Sequence, residues 1–489
     1  MRDEHAESAA PSAGRVDEAP QLRLLIGGEW RLGSHAFDVV SPATGQVVAH
    51  CAAAGAGDVA AAVDAAVAAR AAAAAPGYRR AELLRRVQAG IAARGEEIAC
   101  AITRETGKPI RDARTEVRRS VETIGFCADE AIRIEGRQVP LDGSELGAGK
   151  LALTMRFPVG VVGAIVPFNA PFNMACHKIG PAIAAGNSVI LKTPPEAPGC
   201  LALLASIVAE AGAAPGTFGL LHGGVDVGET LVRDPRVDFI SFTGSTSAGA
   251  AVKAAAGLRR TTLELGGLGP NIVHADADPA RVAPICALNG TRLAGQSCVS
   301  VQNLFVHRDL LAPFTEAFVA AMRGMRVGDP FDERTDVGPM INERAARRVE
   351  QWVDEARSSG AAVLCGGTRE RTYVAPTAIT DADPSMKVVC QEIFGPVIVL
   401  RPYDDIAAPI AWINGSGFGL NCGLFTDSTP VAIRALREIR CGGLIVNGTS
   451  TFRPDQTPYG GVGNSGNGRE GPSRAVLDMT DERLIVFNY

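Results

Sequence analysis

The chain has 489 residues, of which 46% are hydrophobic and 21% are charged, and its formal net charge is −5. This length suits two or three domains with sizeable cores, and the composition is that of an ordinary soluble protein. The acidic balance leaves no basic footprint, which argues against nucleic acid as a partner. The 11 cysteines form no C-x-x-C pair and the 7 histidines no H-x₃-H pair, so we expect no metal site.

One long uncharged run, FPVGVVGAIVPFNAPFNMAC, covers residues 157–176. Its prolines and asparagines would break a membrane-spanning helix, so we interpret it as a buried strand followed by a structured loop. We therefore expect no membrane association. Because no secretory signal is evident, reduced thiols in a cytoplasmic enzyme are the simplest interpretation.

The first part of the chain predicts a disordered start, a hairpin and several helices. Residues 1–21 are small, charged and aperiodic, which favours disorder. The segment RLLIGGEWRLG predicts a hairpin with Gly27 and Gly28 at its turn. Helical patterns then run from Asp58 to Ala75, through residues 79–107 and from Asp112 to about Arg133.

From Val159 onwards, short apolar strands alternate with helical segments. The first four strands are VGVVGAIV, GNSVILK, FGLLHGG and VDFISFTG. This alternation predicts a parallel sheet covered by helices, with its ligands at the carboxyl ends of the strands. A second alternating pattern beyond Leu263 contains NIVHA, QNLFVHR, AAVLCGG and GLIVNG.

Three residues lie in contexts that suggest chemistry. Cys298, in the polar turn LAGQSCVSVQ, has small neighbours that leave its sulfur accessible, and it is a nucleophile, a metal ligand, half of a disulfide or a filler residue. Glu264 lies in TLELGG, and a carboxylate in an apolar strand is costly unless it is paired or acts as a base. Asn169, in VPFNAPFN, either donates its amide to an oxyanion or forms a turn.

Other segments are compatible with a bound nucleotide. Gly244 and Ser245 connect a strand to a helix in ISFTGSTSAG, where backbone N–H groups attract phosphate, although a capped helix explains the same residues. Lys192 ends a strand in VILKTPPEAP and either reaches a ribose or phosphate or is a solvated lysine. Glu392 and Phe394, in EIFGPV, are weak signals by themselves.

Taken together, these segments resemble the aldehyde dehydrogenase superfamily from about Leu25 to the C-terminus. Seven motifs occur in the family's order: VPFNAP, GPAIAAGNSVILKT, FTGSTSAG, LELGGLGPNIV, GQSC, EIFGPV and PYGGVGNSGNGRE. The resemblance implies an α/β fold with two parallel-sheet domains, a variant Rossmann cofactor domain and a catalytic domain, plus a small β oligomerisation arm. It also implies a non-acylating enzyme that oxidises an aldehyde to the acid with NAD(P)⁺.

The resemblance further implies how the chain is divided. We expect a disordered N-terminus at 1–21, a cofactor-binding domain at 22–133 and 156–262, a catalytic domain at 263–450, an oligomerisation arm at 134–155 and 476–489, and a return segment closing the active site at 451–475. The apolar LIVF of the arm would be an exposed edge in a monomer. A homodimer or homotetramer is therefore expected.

The family's catalytic roles carry over to matching positions. By resemblance, Cys298 is the nucleophile that forms first a thiohemiacetal and then a thioester. Asn169 and the Cys298 backbone N–H would stabilise the oxyanion, and Glu264 would activate water for hydrolysis. Glu470 matches a second glutamate that assists proton transfer in some members, and we expect a structural role for it here.

The resemblance also assigns cofactor contacts. Lys192 would lie toward the adenine ribose, Ser245 at the pyrophosphate and Glu392 toward the nicotinamide ribose. The further expected contacts are Gly244, Phe394, Pro167, Phe168, Gly266 and Pro195. Pro195 stands where a glutamate often binds the ribose 2′-hydroxyl, and Glu196 follows one residue late, so the choice between NAD and NADP stays open.

The substrate is an unspecified small aldehyde. The expected pocket residues are Phe172, Phe126, Ser297, Val299, Phe452 and Arg453. Arg453 or Arg292 would pair with a carboxylate or phosphate on the aldehyde.

Three alternative functions remain open. A CoA-acylating aldehyde dehydrogenase has no need of a base, so Glu264 argues for hydrolysis. A cofactor-independent cysteine esterase requires a histidine partner, for which His177, His274 and His307 are the candidates. A binding protein that has lost activity is disfavoured because the key positions carry competent residues.

Overall fold

The computed structural model of the chain describes residues 19–488. The disorder predicted for residues 1–18 lies outside the described residues, whereas residues 19–21 are ordered. Gln21–Leu22 forms a strand that pairs in parallel with Val47–Ala53, and His35–Val40 completes this small sheet. The prediction of disorder for Gln21 is therefore wrong, because this residue is held by a neighbouring strand.

The larger sheet has eight strands and contains the predicted parallel set. Its strands, in spatial order, are Gly466–Asn467, Arg260–Glu264, Phe239–Thr243, Val161–Ile165, Ser188–Lys192, Phe218–Leu221, Leu24–Ile26 and Glu29–Arg31. The five strands from Arg260–Glu264 to Phe218–Leu221 are parallel, and the flanking pairings are antiparallel. The predicted hairpin turns at Gly27 and Gly28.

Helices cover this sheet, and two of the predicted ones are each divided. They are Ala56–Ala68, Arg70–Ala73, Gly77–Ala93, Gly95–Thr106, Ile110–Ala131, Pro171–Ala185, Pro198–Glu210, Val225–Arg233 and Thr246–Ala256. Every residue of Pro171–Ala185 is buried, because this helix lies between the sheet and Ile110–Ala131. Its buried length explains the near absence of helical amphipathicity in its sequence.

The second sheet has seven strands and carries the second alternating pattern. In spatial order they are Ala362–Cys365, Thr377–Thr380, Val397–Tyr403, Asn303–His307, Pro270–Val273, Asn421–Phe425 and Gly443–Val446. All neighbours are parallel except the first pair. Its helices are Pro279–Thr291, Leu311–Arg323, Glu343–Ser358, Lys387–Cys390, Ala407–Gly415 and Thr429–Glu438.

A third sheet joins the predicted arm segments. Thr480–Phe487 pairs along its length with Leu151–Pro158, which also pairs with Gln138–Val139. Thr480–Phe487 is an edge strand, and Leu484 on it is 60% exposed. The short helix Pro472–Asp478 precedes this strand and packs on the larger sheet's helices.

The smaller elements complete the chain. Short strand pairs join Arg369–Glu370 to Tyr373–Val374 and Phe418–Gly419 to Val462–Gly463. Single 3₁₀ turns occur at Glu145–Gly147 and Arg308–Leu310, and Arg292–Gly295 forms a turn with left-handed backbone angles. Between residues 19 and 488, no helix combines the length and apolar character that crossing a bilayer requires.

The predicted boundaries differ from the structure at two points. The division at 262/263 falls inside the strand Arg260–Glu264, which belongs wholly to the eight-stranded sheet. The return segment adds Gly466–Asn467 to the edge of that same strand. The segment that follows the seven-stranded sheet is therefore hydrogen-bonded into the eight-stranded sheet, directly beside Glu264.

Candidate active site

A cavity of about 530 Å³ lies where the strands of the eight-stranded sheet end and the Cys298 loop approaches. Its lining includes Pro167, Phe168, Asn169, Glu196, Thr243, Gly244, Ser245, Glu264, Leu265, Gly266, Gln296, Cys298, Ile341, Asn342, Arg344, Ala345, Arg348, Glu392 and Phe394. All three predicted catalytic residues are in this set. The carboxyl-end position of the cavity is the one expected for a parallel α/β sheet.

A left-handed turn presents Cys298 to the cavity. Leu293, Ala294 and Gly295 have φ of 58°, 51° and 69°, and the first two are L-residues in a conformation that costs roughly 1–2 kcal/mol each. The Asn169 side chain donates from Nδ2 to the Gln296 backbone oxygen at 3.0 Å. Asn169 is thereby fixed against the backbone two residues before the sulfur.

The Cys298 thiol has a tyrosine as its hydrogen-bond partner. Sγ lies 3.2 Å from Tyr459 Oη. Burial raises the pKa of Cys298 to about 11, while the Tyr459 hydrogen bond and the positive charge of Arg453 act in the opposite direction. The thiolate therefore depends on these two neighbours.

Glu264 ends its strand with a carboxylate that has no hydrogen-bond partner among residues 19–488. Burial, and then the negative charge of Glu470, raise the pKa of Glu264 well above its usual range. A Cβ on Gly460 would lie 2.7 Å from Glu264 Oε1, so only glycine leaves this oxygen free. An unpaired buried carboxylate is costly, which makes Glu264 a candidate for a chemical role.

Two buried cations hold Glu470. Lys178 Nζ donates to Oε1 and Arg453 donates to Oε2, both at 2.8 Å. Although burial alone raises its pKa, these cations lower the pKa of Glu470 to about 2. The Arg453 guanidinium carbon also lies 3.6 Å from the centre of the Tyr459 ring, so the ion pair continues to the thiol's partner.

A second buried carboxylate anchors the return segment. Asp455 accepts two hydrogen bonds from Arg119, at 2.8 and 2.9 Å, and one from Asn173 Nδ2 at 3.0 Å. His177 Nε2 lies 2.8 Å from the same carboxylate. His177 is thus engaged by Asp455 rather than by Cys298, and no histidine is found in the cavity lining given above.

Two of the predicted cofactor residues lie on the wall of the same cavity. Ser245 caps the helix Thr246–Ala256 by accepting from the Ala248 N–H, and Gly244 precedes it on the cavity wall. The helix N-terminus provides N–H groups and a positive dipole for a pyrophosphate. These residues therefore fit a dinucleotide phosphate.

Glu392 and the aromatic pair lie on the same wall. Glu392 Oε1 accepts from the Gly267 N–H at 3.2 Å, and a Cβ on Gly266 would collide with this carboxylate. Burial raises the pKa of Glu392 to about 7, against the Gly267 hydrogen bond and the charge of Arg348. Phe168 and Phe394 meet edge to face, 6.0 Å apart at 88°.

Two predicted cofactor residues lie off the cavity wall. Lys192 is buried at its strand end, and burial lowers the pKa of Lys192 to about 8 while Glu196 and Asp226 oppose this. Pro195 is half-buried and is absent from the described lining, whereas Glu196 is part of it. Glu196, which follows one position after the place where the family often has a glutamate, therefore faces the cavity.

The expected substrate-pocket residues are only partly supported. Phe172 is completely buried in the core around Pro171–Ala185 and is absent from the cavity lining given above, so its place in a substrate pocket stays a prediction. Phe126 is half-buried, and Phe452 is 63% exposed. Arg292 forms a surface ion pair with Asp112 at 2.7 Å.

The other three pocket predictions lie close to the nucleophile. Ser297 and Val299 flank Cys298 in the chain, and Val299 packs with Leu420 and Tyr459. Arg453 stacks on the Tyr459 ring. None of the three is in the lining of the cavity described above.

The sequence reasoning missed Tyr459, Lys178, Asp455 and Arg348. Tyr459 belongs to PYGGVGNSGNGRE, a motif that was recognised as a whole without a role for its aromatic residue. Lys178 was hidden in a fully buried helix, where an isolated lysine is the available signal. Their contacts join positions far apart in the chain, so no local pattern reveals them.

Comparison with known proteins identifies the family. The model described as "Aldehyde dehydrogenase family" matches residues 30–485. The chain belongs to the aldehyde dehydrogenase family. The predicted fold and the reaction class, oxidation of an aldehyde with NAD(P), are thereby confirmed.

Similar proteins act on short aldehydes. The chain is 42% identical over 474 residues to a 3-sulfolactaldehyde dehydrogenase of Priestia aryabhattai, covering 97% of this chain and 99% of the relative. It is 34% identical to a lactaldehyde dehydrogenase of Methanocaldococcus jannaschii, covering 95% and 100%. Among solved structures, aldehyde dehydrogenase 21 of Physcomitrella patens, in complex with the reaction product succinate, superposes with a TM-score of 0.94 at 36% identity, covering 96% and 99%.

Proposed function

We propose that this enzyme oxidises a short aldehyde with an anionic group at its far end, and that Cys298, Glu264 and Asn169 carry the reaction. The observation that supports it best is the convergence of these three residues on one cavity that also contains the nucleotide-side wall. An aldehyde at the sulfur would lie between the proposed cofactor residues of the cavity wall and Tyr459, on whose ring Arg453 stacks.

The reaction begins at the Cys298 thiol, which loses its proton to solvent in the cavity. The thiolate forms a C–S bond with the aldehyde carbon, and the carbonyl electrons move to the oxygen. The Asn169 amide, which is fixed on the Cys298 loop, and the Cys298 backbone N–H donate to this oxyanion. The carbon then gives up its hydride, for which NAD(P)⁺ would supply the acceptor when bound, and a thioester remains on the sulfur.

Hydrolysis of the thioester is the role of Glu264. Its unpaired oxygens take a proton from water as the water attacks the acyl carbon, and the C–S bond breaks to return the thiolate and release the acid. The proton then passes to solvent. The raised pKa of Glu264 suits this role, because a carboxylate with an ordinary low pKa is a weak base.

The cofactor is proposed to be held by residues of one wall. Gly244 and Ser245 would hold the pyrophosphate, and Glu392 the nicotinamide ribose. Gly266 leaves room because a side chain there would strike the Glu392 carboxylate. Glu196, rather than Pro195, would meet the adenine ribose, and its negative charge favours NAD over the phosphate of NADP.

The anionic group is assigned to Arg453. Its guanidinium is held by Glu470 and the Tyr459 ring, yet its buried Nε–H has no partner among the described residues. Arg453 stacks on the ring of Tyr459, and the Oη of the same tyrosine contacts the sulfur. A sulfonate or carboxylate two or three bonds from the aldehyde carbon would supply the missing acceptor. The 3-sulfolactaldehyde and the succinate named for similar proteins both carry an anionic group, which supports this proposal.

The alternatives lack such support. A thiol acceptor such as CoA needs no base, whereas Glu264 is buried, unpaired and aimed into the cavity. A cysteine esterase needs a histidine on the sulfur, and His177 is bound to Asp455 instead.

A matched pair of aldehydes tests the substrate proposal. 3-Sulfolactaldehyde and lactaldehyde share three carbons and differ in the sulfonate, so their kcat/KM ratio, measured by formation of reduced nicotinamide, isolates the anionic group. We expect a ratio of about ten or more in favour of the sulfonate. Arg453→Met should bring the ratio close to one, and the exposed-residue variant Arg292→Met should not change it. A wild-type ratio of one or below contradicts the proposal.

A further inference from the structure

The nucleophile and Tyr459 form an isolated pair. Tyr459 is 5% exposed, and within the described part of the chain its Oη has Cys298 Sγ as its one hydrogen-bond partner. Val299 and Leu420 pack around the two side chains. Among the described residues, the Tyr459 hydroxyl therefore has no polar contact apart from the one to the Cys298 sulfur.

The direction of this hydrogen bond is fixed once the sulfur ionises. Burial raises the pKa of Tyr459 well above its usual range, so the phenol keeps its proton. A thiolate has no proton to give, and the Tyr459 O–H must then donate to it. Hydrogen bonds to a charged acceptor are about twice as strong as those between neutral groups.

The surrounding charges make this donor necessary. Glu392 and Glu264 disfavour a negative sulfur, while Arg453 and the Tyr459 hydroxyl favour it. Arg453 acts through the ring, because its guanidinium lies 3.6 Å from the ring centre and Glu470 holds it there. A cation over the face of a phenol draws electron density from the ring and strengthens its O–H as a donor.

We propose that Tyr459 is a catalytic residue whose hydroxyl donates to the Cys298 thiolate and keeps it charged and oriented until the aldehyde arrives, with Arg453 stacked on the ring as the positioning residue. The inference rests on the proposed function, in which Cys298 is the nucleophile. Tyr459 neither gains nor loses a proton in this role. When the C–S bond forms, the sulfur loses its charge and the hydrogen bond weakens, so the hydrogen bond acts by raising the fraction of Cys298 that is thiolate before the attack.

The test is the reactivity of Cys298 in Tyr459→Phe, which removes one oxygen and keeps the ring. The enzyme without substrate is treated with iodoacetamide, and alkylation is followed by mass spectrometry on the Cys298 peptide because the chain has 11 cysteines. At neutral pH we expect alkylation about tenfold slower than in the wild type. The kcat/KM should fall similarly and recover as the pH rises, because alkali restores the thiolate.

A matched control is Tyr403→Phe. Tyr403 is also buried, but its hydroxyl donates to the Val273 backbone oxygen at 3.2 Å in the seven-stranded sheet. We expect wild-type alkylation of Cys298 in this variant. Wild-type alkylation in Tyr459→Phe would overturn the inference while leaving the proposed function intact. Full turnover in Cys298→Ala would instead overturn the proposed function, so the two failures are distinguishable.

Discussion

The Arg453 guanidinium and the Glu470 carboxylate form a buried ion pair at 2.8 Å, with side-chain exposures of 10% and 2%. Lys178, completely buried, holds the other oxygen of Glu470. This arrangement places a permanent negative charge near Glu264, because the pKa of Glu470 is lowered to about 2. The charge is one of the causes that raise the pKa of Glu264.

The first prediction follows from that coupling. A base with a raised pKa is protonated and inactive below it, so hydrolysis of the thioester should fall as the pH falls through the pKa of Glu264. Glu470→Gln removes the negative charge, lowers the pKa of Glu264 and should move this limb of the kcat profile to lower pH by about one unit. The measurement is kcat against pH, with thermal unfolding as a check on folding. An unmoved limb in a folded variant contradicts the coupling.

The second prediction concerns Cys298→Ala. Turnover should be lost, since no thiohemiacetal forms, while binding of NAD(P)⁺ stays within about twofold of the wild type because the cofactor wall is untouched. Calorimetric titration and the nicotinamide assay give the two values. The exposed Cys390→Ala is the matched control and should be fully active. Turnover in Cys298→Ala would remove the sulfur from the mechanism.

The third prediction separates the two halves of the reaction. Glu264→Gln should release a burst of reduced nicotinamide close to one per active site and then slow by about a hundredfold or more, because water is no longer activated. Stopped-flow absorbance measures the burst, and mass spectrometry detects the acyl group on Cys298. A steady rate equal to that of the wild type is the result that would count against Glu264 as the base.

The fourth prediction addresses the cofactor. Glu196→Gln keeps the shape of a side chain on the cavity wall but removes its charge, so we expect kcat/KM with NADP⁺ to rise by about tenfold relative to NAD⁺. Pro195→Ala, at the neighbouring position off the wall, should leave the ratio unchanged. If Pro195→Ala alters the ratio and Glu196→Gln does not, the assignment of Glu196 is reversed.

The fifth prediction concerns assembly. The strand Thr480–Phe487 is an edge on which Leu484, Val486 and Phe487 are 60%, 40% and 46% exposed. An apolar edge of this kind favours pairing with another copy, and we expect a homodimer or homotetramer. Sedimentation at micromolar concentration should show this state, and the double variant Leu484→Glu, Val486→Glu should shift it toward monomer, whereas Glu482→Gln should not. A wild-type protein that sediments as a monomer at micromolar concentration would contradict the expected assembly.

The sequence predicted most of what local patterns control. The strand Val161–Ile165 and its parallel neighbours follow from short apolar runs between helices, and Cys298 and Glu264 lie on motifs with a recognisable order. The surroundings of Phe172 could not be predicted, because an aromatic residue just after a loop has the same local sequence pattern whether its ring faces a pocket or a core. Tyr459 was missed because its role depends on a contact across 161 positions, which no periodicity encodes.

The return segment, residues 451–475, determines whether the surroundings of Cys298 and Glu264 are complete. Gly466 pairs with Glu264, Tyr459 reaches the sulfur, and Asp455 ties this stretch to the helix Pro171–Ala185. Without this stretch the eight-stranded sheet lacks its edge strand Gly466–Asn467, and the Cys298 thiol lacks its hydrogen-bond partner. The two large sheets therefore bring Cys298 and Glu264 into their observed surroundings only when the return segment is docked between them.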